Sequence, residues 1–256
     1  MNAGPQDPSL DDIRREIDAI DTGLLDLLGQ RFRASAKVRS VKAVEGSLAV
    51  SPIRPAREAM ILRHLVARRP PEVPVDTLVR LWRVILTSST LAQAAVTVHL
   101  PSAVNENPQL RAAVNAHFCA TPVAVHPDAA AVVARLEARR GDIAVVTPRS
   151  SWAVPLMSGK SDSPHVIGTL PLLSTGGEPQ LLVLGYADAQ ETGDDQTLLV
   201  GPSNWSGAAP VWQAMAGPSR LVSLPGFLDA ADIARDLAPL GWRLAGRYPT
   251  PIKVPS

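Results

Sequence analysis

The sequence predicts a multidomain chain, all-α at its N-terminus and α/β beyond. A long apolar seam with helical spacing fills the first segment, and the texture changes near His99. With 46% hydrophobic residues, a 256-residue chain can build one large or two modest cores. The seam runs Leu10, Ile13, Ile17, Ile20, Leu24, Leu27, Arg31, Ala34, Val38, Val41, at alternating spacings of three and four, which marks one stripe of a helix. Ser9 and Asp12 stand at capping-box spacing. No proline interrupts 9–51, and Gly46 is a natural stop, so the helix should run about 35 residues, or roughly 50 Å. A rod of that length exceeds what a single small globule covers.

Pro55 suits a first helical position, and Ile61, Leu62 and Leu65 continue a short amphipathic pattern until Arg68-Arg69-Pro70-Pro71 ends it, which predicts a second helix over 55–69. Pro74 and Asp76 open a third pattern, with Leu78, Leu81, Trp82, Ile85, Ser89 and Ala92 on one face. Beyond His99, β-branched or leucine-rich runs separated by Pro, Gly, Asp and Asn predict strands at 123–125, 143–146, 166–170, 181–184, 197–200, 221–224 and 243–246. Helical patterns at 128–140 and 229–238 alternate with them, which favours an α/β domain over 99–256. The stretch 188–195 reads as an exposed loop.

Net charge is +1, which argues against a nucleic-acid partner. Its distribution is uneven: 14 Lys and Arg against 10 Asp and Glu over 10–98, and 11 against 13 over 99–256. A small anionic ligand in the first segment suits that split. The single Cys119 cannot form an internal disulfide and no leader-like segment opens the chain, so a cytoplasmic location is expected. No apolar run approaches the roughly 20 residues of a membrane span. The five histidines show no metal-ligand spacing.

Arg31 breaks the seam. A cation there must find a counter-charge or a bound anion, because leaving it desolvated and unpaired costs several kcal/mol. Lys42 lies eleven residues on, three turns along the same side and roughly 16 Å away, so the two long side chains could grip one small dianion. Arg14 is 17 residues from Arg31, roughly 25 Å along the rod, and can reach that ligand only from a partner subunit. Arg57 and Glu58 open the second helix, and Ser89 and Gln93 form an i, i+4 pair on the third.

Over 10–98 the chain resembles the all-helical chorismate mutases of the shikimate pathway. The matching residues are Leu10-Asp11-Asp12-Ile13-Arg14-Arg15-Glu16-Ile17-Asp18, Leu27-Leu28-Gly29-Gln30-Arg31, Val41-Lys42, Pro55-Ala56-Arg57-Glu58 and Ser89-Thr90-Leu91-Ala92-Gln93. The resemblance implies an intertwined homodimer of three-helix chains in which Arg14 of one subunit completes the site of the other. It implies that Arg14 and Arg31 bind the two carboxylates of chorismate with help from Ser89, that Lys42 and Gln93 face the ether oxygen, and that Glu58 holds the ring hydroxyl. One position departs from the pattern. Where the family places an aspartate that also contacts the hydroxyl, this chain has Arg54.

Rearrangement of chorismate to prephenate is unimolecular and needs no nucleophile, metal or redox cofactor. The protein must hold the enolpyruvyl arm over the ring and stabilise negative charge building on the ether oxygen. The neutral Gln93 amide donates at any pH, so no acid conditions are required.

Residues 108–200 resemble the prephenate dehydratase domain, a periplasmic-binding-like α/β fold, chiefly through 141–148 and Asp194-Asp195-Gln196-Thr197. The family's Thr-Arg-Phe reads Thr197-Leu198-Leu199 here, and its Glu-Asn-Ser reads Pro148-Arg149-Ser150, so a catalytically silent domain is expected. Residues 219–252 resemble a shortened amino-acid-sensing module, which implies a phenylalanine or tyrosine effector; a relic that only shields the mutase dimer is the competing reading. Three alternatives to a monofunctional mutase stay open: an isochorismate pyruvate lyase, favoured by Arg54, a non-catalytic aromatic-pathway sensor, and a bifunctional mutase-dehydratase.

Overall fold

A computed structural model describes residues 9–44, 52–157 and 162–253. The chain divides into two compact units, Met1–Leu48 and Ala49–Ser256.

The first unit is built on one helix, α1 (Leu10–Val44), 35 residues long. Its start is the expected capping box. The Ser9 backbone N–H and hydroxyl donate to Asp12 Oδ2 at 3.0 and 2.6 Å, and the Asp12 N–H donates back to Ser9 Oγ at 3.2 Å. Those donors hold the Asp12 carboxyl below its ordinary pKa. Between Leu10 and Leu27 the seam stands exposed, from Ile13 at 41% to Leu10 at 63%.

The second unit opens with α2 (Pro55–Arg68) and α3 (Val75–Leu91). Pro55 takes the first helical position as its fixed φ predicts. Of the face expected for α3, Leu78, Ile85 and Ser89 are buried and Trp82 half-buried, whereas Leu81 and Ala92 are exposed; the buried stripe extends instead to Val79, Arg83, Leu86 and Thr87. The reason is what α3 packs on. Leu62 of α2 joins Val79, Leu86 and the distant Ile252 in one apolar cluster, with Leu172 and Leu173 against it. Full burial of Leu62 contributes roughly 2 kcal/mol.

After α3 come β1 (Val98–Pro101), α4 (Ser102–Glu106), α5 (Pro108–Phe118), β2 (Val123–His126), α6 (Ala129–Ala138) and β3 (Ile143–Val146). There follow α7 (Val154–Met157), β4 (His165–Leu170), β5 (Leu173–Ser174), β6 (Leu181–Gly185), β7 (Asp195–Gly201), β8 (Trp212–Ala216) and β9 (Ser219–Pro225). The chain finishes with α8 (Ala230–Asp232), β10 (Arg243–Pro249) and β11 (Ile252–Lys253). Among the described residues nine strands form a mixed sheet in the order β2-β1-β3-β6-β4-β10-β7-β9-β8, and β11 pairs with β5. β1 runs parallel to β2 and β3, with α6 as the β2-to-β3 crossover, while β7, β9 and β8 run antiparallel.

The sheet is covered on both faces, which its period-2 alternation reflects. Val98, Ile143, Val145, Leu181 and Val183 join the cluster containing Val114 and Phe118 of α5, whereas Ala144, Val146, Leu182 and Leu184 join that of Val132 and Leu136 of α6. Gly246 permits β10 to pass beside β4, since a Cβ there would meet the Val166 carbonyl oxygen. β9 and β10 flank β7 within this sheet, so 219–252 contributes strands to the same layer as the rest of the α/β body.

Polar groups buried between β7, β9, β10 and β8 are mutually satisfied. Trp212 Nε1 donates to the Tyr248 hydroxyl at 3.1 Å, the Tyr248 hydroxyl donates to Gln196 Oε1 at 3.2 Å, and Ser223 Oγ lies 2.8 Å from Gln196 Oε1 and 3.0 Å from Tyr248. Burial pushes the Tyr248 phenol well above its ordinary pKa. Tyr248→Phe should therefore lower stability by about 1–3 kcal/mol through the stranded Trp212 donor and the lost bond to Gln196, read as a lower urea midpoint at unchanged m-value.

Candidate active site

The sequence-derived site residues divide between the two units. Arg14, Arg31 and Lys42 stand on α1, whereas Arg54, Arg57, Glu58, Ser89 and Gln93 belong to the second unit.

On α1, Arg14 lies on the exposed surface and donates to Asp11 at 3.3 Å, one turn away. Arg31 is half-buried among exposed neighbours, and that desolvation lowers its pKa from the ordinary arginine value. Lys42 falls within the helix, and its side chain lies outside the described residues. The helical path gives these cations one straight support, since nothing in 10–44 breaks the backbone ladder.

In the second unit, Arg54 is exposed at the N-cap of α2 and makes no side-chain cap; its carbonyl accepts the Glu58 N–H at 3.0 Å. Arg57 is exposed too. Glu58 turns inward and forms an ion pair with Arg83 of α3, with only 15% and 6% of the two side chains exposed. Arg83 also donates from Nε to the His117 carbonyl at 3.0 Å. Ser89 is buried on α3 and donates to the Ile85 carbonyl at 2.8 Å. Gln93 sits just past the end of α3 instead of on it, and its Nε2 reaches back to the Ser89 carbonyl at 3.2 Å. Ser89 and Gln93 are thus brought together, as their spacing predicts.

Arg83 is the residue that sequence reasoning passed over. Its signal was present: Val79, Arg83 and Leu86 follow the four-then-three spacing that made Arg31 conspicuous, a cation inside a buried stripe. The two helices are fastened to the α/β body by arginines. Besides Arg83, Arg63 of α2 donates to Thr192 Oγ1 at 2.8 Å and to the Asp194 and Thr250 carbonyls at 2.6 and 2.8 Å.

At the dehydratase-like motif, Asp195 is buried rather than part of an exposed loop, because its carboxylate accepts the Thr192 N–H and hydroxyl, each at 2.7 Å. Thr197 is fully buried. Its hydroxyl donates to the Gly226 carbonyl at 2.8 Å and accepts the Leu228 N–H at 2.9 Å, so its one proton is committed to the loop after β9.

The α/β body also buries histidines in neutral form. Burial, then the nearby Arg83 charge, holds His117 well below the ordinary histidine range, and burial lowers His165 although its Nε2 meets the Ala187 carbonyl at 2.9 Å. The unfolded chain takes up protons near pH 6.5 that the folded chain refuses, so acid favours unfolding. Stability should be full above about pH 6.5 and fall by up to about 1.4 kcal/mol per pH unit for each such histidine below it. Denaturant titrations at pH 7.5, 6.5 and 5.5 measure this, and His117→Gln should shallow the acid limb.

Among the described residues no helix is long and apolar enough to cross a membrane. A family model described as chorismate mutase type II matches residues 13–94. A bifunctional chorismate mutase/prephenate dehydratase of Stutzerimonas stutzeri is 32% identical over 78 residues, covering 30% of this chain and 21% of that protein. Its namesake from Pseudomonas aeruginosa is 29% identical over 114 residues, covering 38% of this chain and 31% of that one. The matched stretches thus span under a third of either relative's length. A crystal structure of prephenate dehydratase from Streptococcus mutans aligns with 60% of this chain and 98% of its own at 11% identity and a TM-score of 0.39. The stretch matched by the chorismate mutase type II model thus holds the capped 35-residue α1, the inward Glu58 and the paired Ser89 and Gln93, and a mixed α/β sheet follows it in the chain.

Proposed function

We propose that the chain is a chorismate mutase, converting chorismate to prephenate on the way to phenylalanine and tyrosine, and that it works as a homodimer. The observation that carries this reading is α1. A 35-residue helix carries Arg14, Arg31 and Lys42 among its cations and exposes its apolar seam from Leu10 to Leu27, which is the form a helix takes when a second copy is to cover it. Arg14 lies roughly 25 Å from Arg31 on this rod, so a site using both draws Arg14 from the partner subunit.

Within that site Arg14 and Arg31 clamp the two carboxylates and Ser89 assists. Lys42 and Gln93 donate to the ether oxygen, whose charge is larger in the transition state than in the substrate. Glu58 receives the ring hydroxyl, Arg83 holding its carboxylate in place. Arg54 and Arg57, both exposed, add positive charge at the start of α2 that attracts a dianion. The chemistry calls on no metal or cofactor.

The α/β domain is catalytically silent in this reading. The Thr197 hydroxyl proton is committed to the Gly226 carbonyl, and leucine follows it where the dehydratase pattern has arginine. Residues 219–252 serve regulation or shielding, with phenylalanine or tyrosine as candidate effectors. A cytoplasmic location fits the single Cys119.

Purified protein given chorismate should form prephenate alone, followed by chromatography with and without phenylalanine or tyrosine. Phenylpyruvate would show a working dehydratase, pyruvate would show a lyase acting on an isochorismate contaminant, and no turnover would favour a sensor.

A further inference from the structure

At the edge of the large sheet, β2 and β1 pack beneath α6. An open groove runs between β2 and α6, because Ala124 on the strand and Ala131, Ala134 and Ala138 on the helix carry nothing beyond Cβ to fill it. His99, His126, Arg135, Arg139 and Asp142 border the same groove.

These polar groups form one chain of contacts. The Asp142 carboxylate, 1% exposed, accepts the Thr97 N–H at 3.0 Å and meets His99 Nε2 at 3.0 Å and Arg139 Nε at 3.2 Å. An ionised carboxylate only accepts, so His99 donates from Nε2. In the neutral pair His99 Nδ1 then accepts, and His126 Nε2 donates to it at 2.9 Å. The relay ends at His126 Nδ1. Among the described residues that atom has no protein partner, and it is open to solvent on a half-exposed side chain. Burial first, then His99 and Arg135, lower the His126 pKa, so Nδ1 stays a hydrogen-bond acceptor near neutral pH.

The charge around this acceptor is positive. Arg135 and Arg139 are four residues apart and share one side of α6, and Arg135 forms no ion pair among the described residues. Asp142 offsets one of the two cations, and Asp128 is occupied at the other end of α6, where it caps the helix by accepting the Ala131 N–H at 2.9 Å. A ligand here meets two guanidinium donors and one imidazole acceptor. A fully deprotonated anion opposes the imidazole lone pair, and a neutral hydroxyl leaves the guanidinium charge unanswered. An oxyanion that keeps one acidic O–H serves both.

We propose that this groove binds a small protonated oxyanion of the hydrogen phosphate class, its charged oxygens on Arg135 and Arg139 and its O–H donating to His126 Nδ1. None of these residues is assigned to chorismate, so the assignment stands apart from the mutase reading.

Isothermal titration calorimetry of the full chain with sodium phosphate and sodium sulfate, at constant ionic strength, tests it. At about pH 7.5 phosphate should saturate one site per chain with a Kd of about 1 mM, and sulfate, which has no O–H, should bind at least about tenfold more weakly. At about pH 5.5 sulfate should gain about tenfold, because His126 then carries the proton that sulfate lacks. Arg135→Gln, a change on an exposed side chain, should weaken phosphate about tenfold at either pH. His126→Ala should abolish the preference for phosphate over sulfate. Lack of saturation by phosphate, sulfate binding as tightly as phosphate at about pH 7.5, or undiminished phosphate affinity in a folded Arg135→Gln protein would each overturn the assignment. Should either variant not fold, the phosphate–sulfate comparison on the unaltered protein decides alone.

Discussion

Lys42→Ala is expected to lower kcat for chorismate rearrangement by about 10²–10³ while KM moves by less than about tenfold. The asymmetry follows from where the charge appears. The ether oxygen carries little charge in bound chorismate and much more as its C–O bond stretches, so a cation aimed at it acts mainly on the transition state. An alanine on the same helical turn keeps α1 intact, since alanine is the best helix former. Steady-state kinetics of chorismate loss separate the two constants; equal losses in kcat and 1/KM would count against this role, and a rise in KM at unchanged kcat would assign Lys42 to binding instead.

Arg31→Ala should cost kcat/KM about 10²–10³, because it removes a charge-assisted contact to a carboxylate in a partly desolvated site. Its effect on the fold should be small, since alanine keeps α1 helical, and the melting temperature measures this. A purely structural arginine would lose stability and activity together. Arg31→Lys should recover only part of the loss, since an ammonium cannot make the two parallel bonds of a guanidinium. The pairing of a kinetic and a thermal readout on one set of variants tells a ligand-gripping residue from a packing one.

Much of the architecture was legible because it rests on local chemistry. The ends of α1 and α2 follow from Ser9, Asp12 and Pro55, and strands such as β3, β6 and β9 follow from short apolar runs bounded by turn residues. What escaped depends on tertiary context. β1 and β8 have sequences, Val98–Pro101 and Trp212–Ala216, whose strand state is secured by neighbours on the sheet rather than by period or propensity. α5 hides behind Asn107, whose side chain caps it by accepting the Gln109 and Leu110 N–H groups. Leu81 was expected inside and is exposed, because Ile252 and the loop before β5 draw the opposite edge of α3 inward.

The site shows the same division. Ser89 and Gln93 could be paired from spacing alone, and α1 could be read as a rod carrying Arg14, Arg31 and Lys42. Arg83 could be read as a cation in a buried stripe, but its pairing with Glu58 could not, because no local pattern says which edge of α2 meets α3. The bonds of the Thr197 hydroxyl to Gly226 and Leu228 depend on a loop 29 and 31 residues further on, beyond any local signal.

The central claim is that one site is assembled from two chains. Mixing the Arg14→Ala and Arg31→Ala proteins, each nearly inactive, under conditions where subunits exchange tests it most directly. If Arg14 acts in the partner's site, each mixed dimer regains one site with both arginines intact, and random exchange should restore about a quarter of the unaltered activity. If both arginines serve a site within one chain, the mixture will stay as inactive as its components, and that result would contradict the account.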